Sequence, residues 1–219
     1  MKYLVIENMA IMLCAGIGFA SGFRYLINRR TLYASMIELG VGCILLGRLY
    51  QCVRLWTGGS LTDCFQVGIL GMMGAFSFFF SSNYGQFDSL VDNGSKAFAK
   101  YRLISWIGPV VVAALYALIL FSPAYRAFKI SSGLVSVIIV AACYFHLKHV
   151  LIPDADYGIV RCLRNYNVLS LCLAALSMLE LVAMARDIEW LLIASGIGLC
   201  AVSLTLVPVM DRGVKTWRT

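Results

Sequence analysis

The sequence predicts an all-α membrane protein: a bundle of seven transmembrane helices, with the N-terminus outside and the C-terminus in the cytosol. Composition is the first observation behind this reading. Of 219 residues, 61% are hydrophobic and 13% charged, whereas soluble domains carry about 25% charged residues. Mean hydropathy is +0.84. The second observation is length: seven apolar runs are long enough to cross a hydrocarbon core about 30 Å thick, which takes about 20 residues each. The third is an uneven distribution of lysine and arginine beside those runs, which orients them.

The first run covers 3–26. It begins as a signal peptide would, but Glu7 interrupts it and the apolar character continues through Tyr25-Leu26-Ile27. That length suits a retained helix better than a short cleavable segment. The remaining spans are expected at 32–56, 66–82, 103–122, 130–151, 166–185 and 188–209, the third being the shortest before it meets Asn83. Lipid offers no partners for unpaired N–H and C=O groups, so these spans must be helical. Only Asn83 to Arg102 and Pro153 to Asn165 form longer connections, and neither is large enough to fold alone. Residues 1–219 are therefore one transmembrane domain. Gly16, Gly18 and Gly22, then Gly68, Gly71 and Gly74, then Gly196 and Gly198 recur inside spans. Such small residues let helix backbones approach closely.

Twelve basic residues sit on one side of the spans: Arg24, Arg29, Arg30, Lys96, Lys100, Arg102, Lys148, Arg161, Arg164, Arg212, Lys215 and Arg218. Five sit on the other: Lys2, Arg54, Arg126, Lys129 and Arg186. The richer side is cytosolic by the positive-inside rule, which fits a multi-pass protein of a bacterial inner (plasma) membrane. The net charge of +7 is then a topology signal and a means of touching anionic headgroups. No basic stripe interleaved with aromatics exists, so nucleic acid is excluded as a partner. Most cysteines lie in apolar runs and act as small hydrophobes. Cys52 and Cys64 flank an outer loop and are the one pair placed for a bridge.

A charge inside a span is costly, about 2.5–3.5 kcal/mol on insertion scales, and is a functional candidate by default. Span two carries Glu38 and Arg48, and span six carries Glu180. Arg48 lies sixteen residues from the inner start of its span and Glu180 fourteen from its own. At about 1.5 Å per residue they reach similar depth in the outer half, and an Arg48–Glu180 ion pair is expected. Glu7 and Gln51 fall nearby, so Glu7, Arg48, Gln51 and Glu180 are the candidate ligand-binding residues.

At the inner rim, Asp88 and Asp92 are four apart and His146 and His149 three apart, so each pair shares a face if helical. The aspartates are the catalytic candidates if the chain is an enzyme acting on a lipid headgroup. The histidines come nearest to a metal site, with Asp154 or Asp156 as a third ligand, yet no metal and no cofactor is predicted. No Schiff-base lysine lies between Trp190 and Val209, and no P-loop, nucleophile elbow or selectivity-filter sequence occurs. The expected function is receptor- or sensor-like: a small ligand binds in an outer-half polar cavity, and a separate cytosolic partner takes the signal. A small-solute transporter is the first alternative and an intramembrane lipid enzyme the second. The reading leans away from an enzyme.

Overall fold

The computed structural model describes residues 2–28, 32–84, 88, 92, 94–153 and 159–218, with no strand among them. Its helices are α1 (Lys2–Asn28), α2 (Leu32–Trp56), α3 (Val67–Tyr84), α4 (Ala99–Ser105), α5 (Ile107–Leu120), α6 (Arg126–Leu151), α7 (Ile159–Arg186) and α8 (Glu189–Arg218). Six helices are long and apolar enough to cross a membrane, the 3₁₀ turn Lys96–Phe98 with α4 and α5 counting as one. The chain is thus consistent with an α-helical membrane protein. The run expected as the third span, α3, is not among the six: its eighteen residues end in Ser81-Ser82-Asn83-Tyr84.

Local chemistry sets several boundaries. The helix entering from Lys96 is interrupted at Trp106, because Pro109 lacks the N–H that would bond to Ser105 and its ring crowds that carbonyl. Two helix ends close in the same way. At the end of α2, Gly58 takes φ 78° and Gly59 N–H bonds to Arg54 C=O at 3.0 Å. At the end of α7, Asp187 takes φ 56° and Ile188 N–H bonds to Ala183 C=O at 2.9 Å. Both are Schellman closures, which satisfy carbonyls the helix leaves free. The last helix runs to Arg218 and not, as the sequence suggests, only to 209. Past Pro208 it continues as an amphipathic end, with Met210 and Val214 buried and Asp211 bound to α1.

Contacts run α1–α2–α3–α6–α7–α8 and back to α1, while α5 sits outside this ring against α6 and α7. The division follows polarity. Helix α5 carries no charge and buries only Pro109, Val112 and Ile119, so hydrocarbon can cover its other faces. The ring helices carry Asn8, Arg48, Asn83, His146, Asn167 and Glu180, all buried, and must turn them inward. Helices α2 and α3 meet backbone to backbone. A Cβ on Gly71 would stand 2.6 Å from Cys43 O and 2.7 Å from Gly47 Cα, and one on Gly47 would stand 2.6 Å from Gly68 O. Gly68 and Gly71 thus allow the close approach expected of them, and Gly47 is their partner. Hereafter the end bearing Tyr3, Leu55, Tyr125 and Glu189 is the upper end. The end bearing Tyr84, Leu151 and Lys215 is the lower.

Candidate functional site

Near the upper end, three helices converge on one guanidinium. Arg48 on α2 and Glu180 on α7 are 3% and 2% exposed. Both terminal nitrogens of Arg48 donate to the two carboxylate oxygens of Glu180, the fork geometry that makes arginine–carboxylate pairs strong. Arg48 Nη1 also donates to Asn8 Oδ1 on α1 at 3.0 Å and to Gln51 Oε1 at 3.3 Å. Asn8 Nδ2 in turn donates to Leu4 C=O at 2.8 Å. Gln51 is three residues after Arg48, so both occupy one face of α2. The charges cancel and every terminal nitrogen of the arginine is used, which is how a buried ion pair becomes tolerable.

Three of the four candidate residues, Arg48, Gln51 and Glu180, therefore touch. Glu7 lies beside them, within the field of Arg48 and Glu180, but turns toward α8, where a Cβ on Gly196 would stand 2.6 Å from Glu7 Oε1. Neither Glu7 oxygen has a hydrogen-bond partner. Asn8 was not anticipated. As a neutral amide in an apolar run it stands out less than its charged neighbour, although any polar residue at such a depth is a signal.

The space beside the pair is about 10 Å³, lined by Arg48, Gln51, Met72, Ser177, Glu180 and Met184 among others, room for one water at most. A larger cavity of about 420 Å³ opens at the upper end, bounded by Tyr3, Leu4, Thr62, Tyr125, Met184 and Asp187 among others. That volume lies in the range of small-molecule sites. Met184 lines both spaces. It stands one helical turn beyond Glu180 on α7, between the open cavity and the space beside the pair. Cys52 and Cys64, flanking this rim, are both free. The Cys64 sulfur instead accepts from Arg54 Nη2 and Gln66 Nε2, each at 3.4 Å.

A second polar cluster lies at the lower end. His146 Nδ1 on α6 is 2.7 Å from Asn83 Nδ2 on α3 and 2.9 Å from Asn167 Oδ1 on α7. The two asparagines also bond to each other at 2.8 Å. Next to it, buried Lys148 pairs with Asp88 and, at 3.4 Å, with Asp92. Asp88 also lies 3.2 Å from His149 Nε2, and Asp92 pairs with Arg102 at 2.8 Å. Lys148 Nζ rests 4.9 Å over the Phe145 ring. The aspartates are therefore consumed in clasping the loop to α6 and α4, and the histidines point to different partners. Among the described residues no group of three His, Cys, Asp or Glu side chains converges as a metal site. Asp154 and Asp156 lie outside the described residues.

Burial pushes the Asp88 carboxyl up, but hydrogen bonds from His149 and Lys148 and their charges outweigh it and hold the group below the usual carboxylate range. The sign follows from linkage: a depressed carboxylate adds stability that is present above its unfolded value, about 3.9. That stability is lost as pH falls through the lower folded value. Hydrogen exchange over 94–102, corrected for intrinsic rate, is expected to be unchanged from pH 7 to pH 5 and to accelerate once Asp88 is protonated. Lys148→Met leaves two carboxylates facing each other without their shared cation. Trypsin cleavage after Lys96 and Lys100 should then speed up about tenfold or more, given that charged hydrogen bonds contribute about 1.5–3 kcal/mol each. Unchanged cleavage would show that the clasp does not hold the loop.

No protein-family model matches this chain, and comparison with curated proteins and with solved structures finds no match.

Proposed function

We propose that this chain is a seven-helix membrane sensor, multi-pass in a bacterial plasma membrane, with its upper end outside and its lower end in the cytosol. In this reading α3 is the seventh span, completed by its neighbours: α6 and α7 bond its polar end at Ser82 and Asn83, so its own apolarity need not suffice. The excess of basic residues beside the lower ends of the helices supports the orientation, and those residues meet anionic headgroups and a cytosolic signalling partner. A small ligand occupies the upper cavity.

One observation carries the reading: Met184 lines both that cavity and the small space beside the Arg48–Glu180 pair. A ligand pressing on Met184 acts on the segment of α7 that ties α1, α2 and α7 together. Asn167 is thirteen residues before Glu180 on the same helix, about 20 Å away at 1.5 Å per residue. A shift or rotation of α7 would therefore reach Asn83 and His146, and through α6 the Lys148 clasp. Two discrete arrangements of such a packed rod are what allow a signal to cross a bundle.

The test is a thermal-shift screen of small molecules on the chain in lipid nanodiscs, repeated on Thr62→Trp, which fills the cavity from its rim. A true ligand stabilises the wild type by about 2.7 kcal/mol at a hundredfold excess over Kd and leaves the tryptophan variant unmoved. It also changes hydrogen exchange over 94–102. A ligand that binds without altering the lower end overturns the sensor reading, and uptake of that ligand into proteoliposomes replaces it with the transporter. Turnover of a labelled lipid abolished by Asp88→Asn would favour the enzyme.

A further inference from the structure

Glu38 lies on the lower half of α2, wholly buried at 0% exposed. Among the described residues neither carboxylate oxygen has a hydrogen-bond partner. The group is pressed against α1 at Gly22, where a Cβ would collide with it, and Val207 of α8 comes to 2.9 Å of the same point. In this α1–α2–α8 seam the neighbours at that point are the Gly22 backbone and the Val207 side chain. Burying an ionised carboxylate with neither a countercharge nor a donor is among the most costly arrangements in a protein, and such a group takes up a proton instead. A metal cation is no substitute, because hard cations need several oxygen ligands and among the described residues no group of three His, Cys, Asp or Glu side chains converges.

Access exists on one side. One helical turn nearer the lower end, Tyr25 on α1 donates to Asp211 on α8. Asp211 also pairs with Arg24 and Lys215, each at 2.8 Å, and its side chain is 15% exposed. Among the described residues, the titratable or charged groups at that end of α1 and α8 are these four with Arg212 and Arg218 of α8. Asp211, paired with two cations and bonded by a phenol, is a partly exposed acceptor one turn from the buried carboxyl. The gap between the two is spanned by the seam alone.

We propose that Glu38 is a proton-binding site, loaded from the lower side past the Tyr25–Asp211 bridge, whose bound proton keeps the α1–α2–α8 seam closed. Loss of the proton leaves an uncompensated charge in the seam, and α1 and α8 must part to let water, or the Arg24 and Lys215 cations, reach it. The site is independent of the ligand cavity, since it involves different helix faces at the opposite end.

Infrared spectroscopy of the full chain in lipid nanodiscs at pH 7 tests this directly. A carbonyl band of neutral carboxylic acid is expected in the wild type, with one component lost in Glu38→Gln and the band absent from the double variant Glu7→Gln with Glu38→Gln. Absence of the band from the wild type, or a band unchanged by Glu38→Gln in either the wild-type or the Glu7→Gln background, overturns the proposal. Should Glu38→Gln fail to fold, the wild type alone decides through dicyclohexylcarbodiimide. The carboxyl gives its proton to a carbodiimide nitrogen while its oxygen bonds to the central carbon, forming an O-acylisourea that rearranges to the N-acylurea with no atom lost. An adduct mapped to Glu38, with a yield that falls as pH rises, supports the site. No adduct, or one on Glu7 alone, overturns it.

Discussion

Truncating Glu180 to alanine will destabilise the folded bundle by about 3–5 kcal/mol, the range for stranding one member of a buried ion pair. Arg48, 3% exposed in the intact bundle, would keep as hydrogen-bond partners the neutral oxygens of Asn8 and Gln51 at 3.0 and 3.3 Å, with Glu7 nearby but not bonded to it. Neither amide can replace a carboxylate that takes two bonds from the same guanidinium. Removing both partners is a different experiment. Arg48→Met with Glu180→Leu deletes the charge and its countercharge together and fills similar volume, so the double variant should recover most of the loss. Unfolding by graded denaturing detergent, followed by tryptophan fluorescence and by folded yield on size exclusion, measures both. If Glu180→Ala is as stable as the wild type, or the double variant is no better than the single, the pair does not anchor α2 to α7. The exchanged pair, Arg48→Glu with Glu180→Arg, adds a stricter demand: Asn8 and Gln51 must then turn their amide nitrogens toward a carboxylate.

The second large effect is expected where α2 crosses α3. Leucine at Gly71 should cost about 3 kcal/mol or prevent folding, at or beyond the upper end for inserting bulk into a packed core. The reason is the identity of the opposing atoms. A Cβ at Gly71 meets Cys43 O and Gly47 Cα at 2.6 and 2.7 Å, and one at Gly68 meets Gly47 O at 2.9 Å. These are backbone atoms of a neighbouring helix and cannot rotate away. Nearby glycines supply the controls. At Gly16 a Cβ would find only Leu45 Cδ1 at 3.7 Å, and at Gly74 the Cys43 sulfur at 3.0 Å. Alanine at Gly16 should be neutral or slightly stabilising, and at Gly74 mildly adverse. Equal losses at all three positions would show that helix propensity, and not the crossing, sets the response. Because α3 carries Asn83, a displaced α3 should also break the Asn83–His146–Asn167 contacts and raise exchange at the lower end.

Part of this was legible in the chain. Arg48 and Glu180 could be matched by depth, because rise per residue turns sequence position into height along a helix. The outline of the spans followed from runs of apolar residues, and α2 occupies Leu32–Trp56, the interval read from hydropathy. Depth does not give azimuth, however. His146 and His149 share a helix face by spacing, yet one reaches between α3 and α7 and the other reaches the loop aspartate. Asp88 and Asp92 resemble a cation or headgroup site only while their neighbours are unknown. Lys148, which occupies both, comes from a helix fifty-six residues beyond Asp92. Gly47 was missed for a related reason: nothing in α2 sets it apart from Gly40 and Gly42, and its role depends on Gly68 and Gly71 of α3.

Solvent class, helical backbone and the approximate height of each polar group are local properties. They follow from side-chain polarity, from the thickness of hydrocarbon and from the need to pair every peptide group within one segment. Such terms add up along the chain, so the order of residues suffices to read them. Helix order around the bundle, the exclusion of α5 from the ring, and the choice of partner for Arg48, Lys148 and His146 are not of this kind. Each depends on how far two helices rotate and approach, which is settled where several surfaces compete for the same space. Glu38 shows both halves. Its position marks it as a costly charge, but that it meets Gly22 and Val207 rather than a cation is a fact about three helices at once.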